Sequence, residues 1–262
     1  MRIINEGNAP KDIVDKIEAV VLHLDKFWEK KLHEEKGRAY YPPKVILFTR
    51  NVMTPCGEGR TDHGPFFCGR GIYIDVQWFE RLVSEYGAEE GEFAQFYIVA
   101  HEFGHHIQSQ IGTFSRALGP GGDGGLRVRA ELEADGYAGF WARSASEDDD
   151  FPWEITEDDI NNALAAAQAV GDDTIHLRKT GSISPERFGH GTAYQRQAAF
   201  MFGFNASDMH EFRKFYAWEL EDFLGKPDHD APEEDTHEEL EQEQAHYLSD
   251  DDIDDFLPDD EL

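Results

Sequence analysis

The sequence predicts an α+β domain, mostly helical with a small sheet, followed by an acidic tail. Three observations carry this reading. Apolar residues recur at helical spacing over several long windows. Two short runs, KVILFTR and GIYIDV, are rich in β-branched and aromatic residues and read as strands. The charge is segregated: of the formal net charge of −30, residues 227–262 supply −17, with 17 Asp/Glu and no Lys/Arg. The expected organisation is therefore one domain over 1–226 and a disordered tail over 227–262, too poor in apolar residues to offset its ordering entropy.

The elements follow in order. Residues 9–36 form an amphipathic helix through Ile13, Ile17, Val20, Leu24, Phe27 and Leu32, stopped at Gly37. Pro42 and Pro43 lead into the KVILFTR strand. Residues 51–70, with six glycines and prolines, read as a loop. GIYIDV (71–76) is the second strand and a helix runs from it to about Gly87. A helix over 92–111 is separated by the glycine-rich 118–125 from another at about 127–145. Thr156 to Asp159 opens a helix to Val170 with a capping-box pattern. Helices over 192–203 and 208–224 complete the domain.

Bulk properties exclude several classes. At 262 residues, 40% of them hydrophobic, the chain buries a real core. A body of net charge −13 repels phosphates, so nucleic acid is not an expected partner. No apolar run approaches the roughly 20 residues of a membrane span. The N-terminus lacks the cationic and apolar pattern of a signal peptide, which points to the cytoplasm. Cys56 and Cys68, the two cysteines, bracket eleven residues. A disulfide is expected between them in an exported protein and free thiols in a reducing compartment.

The chemistry is concentrated in YIVAHEFGHHIQ, residues 97–108. His101 and His105 are four apart and share a helix face, so two imidazoles can hold one ion. Zinc accepts imidazole nitrogen and carboxylate oxygen. Glu102 leans about 100° around the helix and is placed as the general base of an HExxH arrangement. His106 competes as a ligand only in a register that consumes Glu102. In RAELEADGYAGFWA (129–142), Glu131 and Asp135 are again four apart. Glu131 completes the metal set. Asp135 accepts from the second ring nitrogen of a ligand histidine. Glu133, roughly 200° from Glu131 around the helix, faces away. Ala130, Ala134 and Ala138 form a small-residue stripe that lets the motif helix approach, with Gly104 doing the same from the other side.

These residues give the chain a resemblance to the bacterial neutral zinc metallopeptidase family. It rests on four ordered blocks: CGEGRTDHGPFFCGRGIYIDVQWF (56–79), VAHEFGHHIQ (99–108), ELEADGYAGFWA (131–142) and GHGTAYQR (189–196). They span about residues 45–205. The resemblance implies a zincin-like fold, Glu131 as third ligand, and peptidase activity on a peptide or protein substrate. Family members commonly begin with a membrane anchor or export signal, which implies a membrane-associated or exported protein and departs from this chain. The acidic tail is also outside the pattern. Zincins supply a second donor for the oxyanion from outside the motif helix, and the GHGTAYQR segment offers His190, flanked by Gly189 and Gly191, in preference to Tyr194.

The resulting expectation is a zinc-dependent peptidase: zinc on His101, His105 and Glu131, and Glu102 moving the proton from water to the leaving amine. The GIYIDV strand is a candidate sheet edge for pairing an extended peptide. Three alternatives stand beside it. A deformylase-like hydrolase uses Cys68 as third ligand. A non-catalytic descendant binds zinc as an interaction module. An acidic-tail protein binds basic partners. The sequence leaves the oligomeric state open.

Overall fold

The computed structural model describes residues 3–60, 64–84, 92–114, 124–169 and 189–225. The fold is α+β, with a small mixed sheet packed on a larger helical body. The glycine-rich 118–123, the end of the expected helix at Val170 and the tail lie outside the described residues.

Strand β1 (Ile3–Asn5) leads into helix α1 (Lys11–Lys36), which returns the chain to β2 (Lys44–Phe48), parallel to β1. Helix α1 buries Ile17, Val20, Val21, Leu24, Phe27, Trp28 and Leu32 along one face. It stops where Gly37 takes a left-handed φ of 58°, and the Gly37 and Arg38 N–H groups close on the carbonyls of His33 and Leu32. Strand β1, absent from the sequence-based expectation, is three residues long and carries one buried side chain, Ile3, too little to show a period.

The stretch 51–70 is a second departure. It holds a hairpin of β3 (Asn51–Thr54) and β4 (Gly57–Arg60), then β5 (Phe66–Cys68). Strand β6 (Gly71–Asp75) follows, and the sheet order is β1-β2-β6-β5, with β5 antiparallel. The edge position expected for GIYIDV therefore belongs to β5. β6 is internal, and all five of its residues are buried. Alternate strand residues face opposite ways. Val45, Leu47, Ile72 and Ile74 join the main core, whereas Ile46, Phe48 and Tyr73 join a smaller cluster with Val52, Phe66 and Cys68. The hairpin segment thus lids the outer face of the sheet. Cys56 is bonded to Cys68, tying the hairpin turn to β5.

On the inner face, α2 (Trp78–Ser84) precedes the central α3 (Glu92–Ile111), buried almost all round from Phe93 to Gln108. Beside it run α4 (Gly124–Ser146), α5 (Glu157–Ala169) and α6 (Ala193–Asn205). Thr156 and Asp159 exchange the expected capping bonds: the Thr156 hydroxyl accepts from Asp159 N–H at 3.2 Å and Asp159 Oδ2 accepts from Thr156 N–H at 2.9 Å. Small residues set the helix spacings. A Cβ on Gly104 of α3 would lie 2.9–3.0 Å from backbone and side-chain atoms of Ala134 in α4. Between α4 and α6 the approach is closer: a Cβ on Gly203 would sit 1.7 Å from the Gly136 carbonyl oxygen.

The expected helix over 208–224 is instead three pieces: a 3-10 turn (Glu211–Arg213), α7 (Lys214–Ala217) and α8 (Leu220–Leu224). Trp218 is extended (φ −123°, ψ 161°), and the Arg129 guanidinium donates to the carbonyls of Phe215 and Trp218 at 2.8 and 2.7 Å. A cation from α4 thereby takes the carbonyl that an unbroken helix would have satisfied itself. None of the described helices is long and apolar enough to cross a membrane.

Two stability predictions follow from this packing. Replacing Cys56 and Cys68 by serine together lowers unfolding free energy by about 2–3 kcal/mol, the effect of opening a loop of this size; denaturant titration of oxidised protein measures it, and an unchanged midpoint refutes it. The second concerns His23 on α1. Its Nδ1 accepts from Trp141 Nε1–H at 2.8 Å, so its Nε2 carries the proton shared with Asp148 at 3.1 Å. Burial pushes this imidazole's pKa down, against the pull of Asp148. A folded pKa below the unfolded value of about 6.5 gives stability that is present above that pH and lost as pH falls through the folded value. The stability advantage of wild type over His23→Gln therefore shrinks between pH 7.5 and 5.5. A pH-independent difference would contradict it.

Candidate active site

Helix α3 presents His101 and His105 on one face because four residues make about one turn. Helix α4 crosses that face at the Gly104–Ala134 contact, which brings Glu131 to the same point. Glu131 Oε2 lies 3.4 Å from Nε2 of His101 and 3.4 Å from Nε2 of His105. One ligand atom from each of the three lies within 4.8 Å of the others. Bond lengths of about 2.0–2.1 Å put the donors of a tetrahedral zinc roughly 3.4 Å apart, so the two nitrogens and one oxygen fit that ion. Both imidazoles and Glu102 are only 6% exposed.

The charges agree with the geometry. Burial opposes a charge on His101, but Asp135 outweighs it and pushes the imidazole up to about 10. Burial likewise opposes charge on His105, and Glu131 overcomes it. Burial would raise Glu131, yet His105 and His101, with His190 adding, hold its carboxyl well below the usual range. Two imidazoles and one carboxylate that favour each other's charge form a donor set that a divalent cation would satisfy.

Glu102 is placed differently. It sits outside the triangle of His101, His105 and Glu131, its Oε2 is buried, and among the described residues that oxygen has no hydrogen-bond partner. An acceptor oxygen left unpaired in the interior is costly, and a polar group or water at the metal would satisfy it. Burial raises the Glu102 carboxyl, with His105 and His101 opposing.

Each histidine of the cluster is oriented by its other nitrogen. Asp135 Oδ1 lies 2.7 Å from His101 Nδ1. Asp135 also receives both nitrogens of Arg196, at 2.8 Å each, and the Tyr97 hydroxyl at 2.6 Å. It is an acceptor at every contact, so His101 Nδ1 carries the proton and Nε2 is free toward the metal position. Arg196 comes from α6, and the contact of Gly203 with Gly136 is what lets that helix reach. His105 uses Gln108, whose Oε1 lies 2.8 Å from His105 Nδ1.

The sequence reading anticipated the residues the structure brings together at this point, but missed four of their supports. Tyr97 and Gln108 carried a local signal, one turn before His101 and three residues after His105. Arg196 lies in the GHGTAYQR segment, but no spacing rule connects it to Asp135. Glu133 does turn away from the triangle. It turns into the interior, 2% exposed, to meet Gln108, Tyr137 and Tyr216. Burial pushes its carboxyl up to about 6 against those hydrogen bonds.

The remaining candidates are placed as follows. His106 is buried and points to the Tyr41 carbonyl at 2.7 Å, and burial pushes its pKa down to about 4. It is a neutral core histidine. Cys68 is bonded to Cys56, which removes it as an alternative third ligand. His190 is half-buried, near enough to Glu131 to lower that carboxyl's pKa, and precedes Gly191 (φ 95°) and the Thr192 cap of α6. Tyr194 points elsewhere, donating to the Leu224 carbonyl at 3.2 Å.

A comparison with known families matches residues 4–215 to the one described as "Putative neutral zinc metallopeptidase". The chain is 42% identical over 190 residues to the uncharacterized protein Rv2575 of Mycobacterium tuberculosis, covering 69% of this chain and 65% of that one. It is 35% identical over 183 residues to the uncharacterized protein YpfJ of Escherichia coli K12, covering 67% and 62%. The chain thus spans less than two thirds of the length of these curated relatives. No solved structure matches it. A match over most of its length, on the segments that build the site, places the chain in the neutral zinc metallopeptidase family.

Proposed function

We propose that this protein is a zinc-dependent peptidase in which His101, His105 and Glu131 hold the metal and Glu102 is the general base. The observation that carries the reading is the pairing of a three-donor cluster able to hold a metal ion with a buried carboxylate oxygen that has no partner among the described residues. When bound, zinc polarises the scissile carbonyl and acidifies water near it. Glu102 Oε2 then takes the proton of the attacking water and returns it to the leaving amine as the C–N bond breaks. Asp135 and Gln108 keep both imidazoles in the tautomer that leaves Nε2 free. His190, which lies near enough to Glu131 to lower its carboxyl's pKa, is the proposed donor to the oxyanion on the attacked carbonyl.

The substrate is an extended peptide. Strand β5 is an edge strand among the described residues, with the Phe67 ring tilted against that of His106 on the motif helix, centroids 5.7 Å apart. A peptide added there lies along α3 with its backbone paired and its side chains alternating. The domain over 1–226 holds every residue this reading uses, and the acidic tail over 227–262 none.

Two measurements test the reading. Glu131→Ala loses most of the bound zinc by elemental analysis, whereas Glu102→Gln retains one zinc per chain and loses peptide hydrolysis by several orders of magnitude. Full zinc in Glu131→Ala, or near wild-type hydrolysis in Glu102→Gln, would sink it. His190→Ala lowers turnover by about a hundredfold with zinc content and melting temperature nearly unchanged. Zinc loss together with a lower melting temperature would instead make His190 a brace for the start of α6.

A further inference from the structure

We propose that Gln108 and Glu133 act together as positioning residues for His105, a buried hydrogen-bond relay that sets how tightly the metal is held. The inference rests on the zinc site proposed above and extends it to residues outside the ligand triangle.

The argument begins with the two ends of one amide. Gln108 Nε2 lies 2.6 Å from the Ala130 carbonyl oxygen and 2.8 Å from Glu133 Oε2. Both are acceptors, so this end must be the NH2. The other end, Oε1, is then an acceptor, and it lies 2.8 Å from His105 Nδ1. Nδ1 therefore carries the proton, and the lone pair of His105 is on Nε2, the nitrogen 3.4 Å from Glu131. The tautomer of a ligand is thus decided by a carboxylate and a carbonyl on the neighbouring helix.

Glu133 is itself fixed. The Tyr137 hydroxyl donates to its Oε1 at 3.0 Å and the Tyr216 hydroxyl to its Oε2 at 3.0 Å. Gln108 is fully buried and Glu133 nearly so. Rotating the Gln108 amide would face its NH2 to His105 Nδ1–H and its oxygen to Glu133 and Ala130. That would set donor against donor and acceptor against acceptor in a site without water access. One orientation survives.

The two ligand histidines are consequently held unequally. His101 is held directly by a carboxylate, Asp135, whose charge Arg196 balances at 2.8 Å. His105 is held by a neutral amide, with its carboxylate one residue further back. Partners that orient a ligand histidine in this way typically contribute about 10–100-fold to metal affinity. The weaker and more easily altered member is the His105 arm. Its far end, Tyr216, lies on α7, which Arg129 holds in place through the carbonyls of Phe215 and Trp218.

The test uses the full chain and two readouts: zinc dissociation constant by competition with a chromophoric chelator, and the visible ligand-field spectrum of the cobalt-substituted protein. Gln108→Met keeps the side-chain length and removes the amide. It is expected to weaken zinc by about 10–100-fold and to alter the cobalt spectrum. Glu133→Gln retains an acceptor for Gln108 and is expected to bind within a few-fold of wild type, whereas Glu133→Leu falls with Gln108→Met. Tyr216→Phe, the change least demanding on the fold, weakens zinc measurably but least. Dissociation constants and cobalt spectra like wild type in both Gln108→Met and Glu133→Leu overturn the proposal. So do lowered melting temperatures in all variants with an unaltered spectrum, which describe a structural pair. Glu131→Ala separates the two readings: retention of metal there overturns the zinc site and the relay with it. Loss of metal there with unchanged Gln108→Met overturns the relay alone.

Discussion

Asp135 has no exposed surface, yet it is an anion, and the interior tolerates it because Arg196 meets it with two hydrogen bonds and His101 and Tyr97 with one each. Removing one partner from such a buried pair strands a charge and typically costs about 3–5 kcal/mol. The requirement propagates outward. Arg196 reaches Asp135 only if α6 lies against α4, and a Cβ on Gly203 would collide with the Gly136 carbonyl. His101 is oriented only if α4 lies against α3, where Gly104 faces Ala134. Three helices, two glycine contacts and one ion pair therefore form a single constraint, and the meeting of His101, His105 and Glu131 is its product.

Those parts of the site written in one helix were readable from the chain. Four-residue spacing put His101 with His105 and Glu131 with Asp135, and the alanine stripe foretold which face of α4 meets α3. What could not be read is nonlocal. No periodicity connects Arg196 to Asp135, sixty-one residues earlier. The alternation rule cannot find β3 and β4, because GEGR buries only Gly59 and its pairing comes from the backbone of NVMT. The break at Trp218 depends on a guanidinium from α4. The edge assignment failed for the same reason: β6 becomes internal only when β5, a three-residue strand, folds back on it.

Charge is arranged on two scales. Over the whole chain acidic residues outnumber basic ones, 54 to 24. Inside, three carboxylates around the site have counterparts of their own: Glu131 faces two imidazoles, Asp135 faces Arg196, and Glu133 has phenols and an amide instead of a cation, whereas Glu102 Oε2 has none among the described residues. Bulk charge therefore says little about the potential at the His101, His105 and Glu131 cluster, which is set by groups within a few ångströms in a medium that screens poorly.

The bond between Cys56 and Cys68 closes a hairpin over the outer face of the sheet. Cys68 is also the last residue of β5, and Phe67 beside it touches the ring of His106 on the motif helix. The two faces of the sheet are therefore not mechanically independent. A strand only three residues long therefore joins the covalent strap on one side to the motif helix on the other.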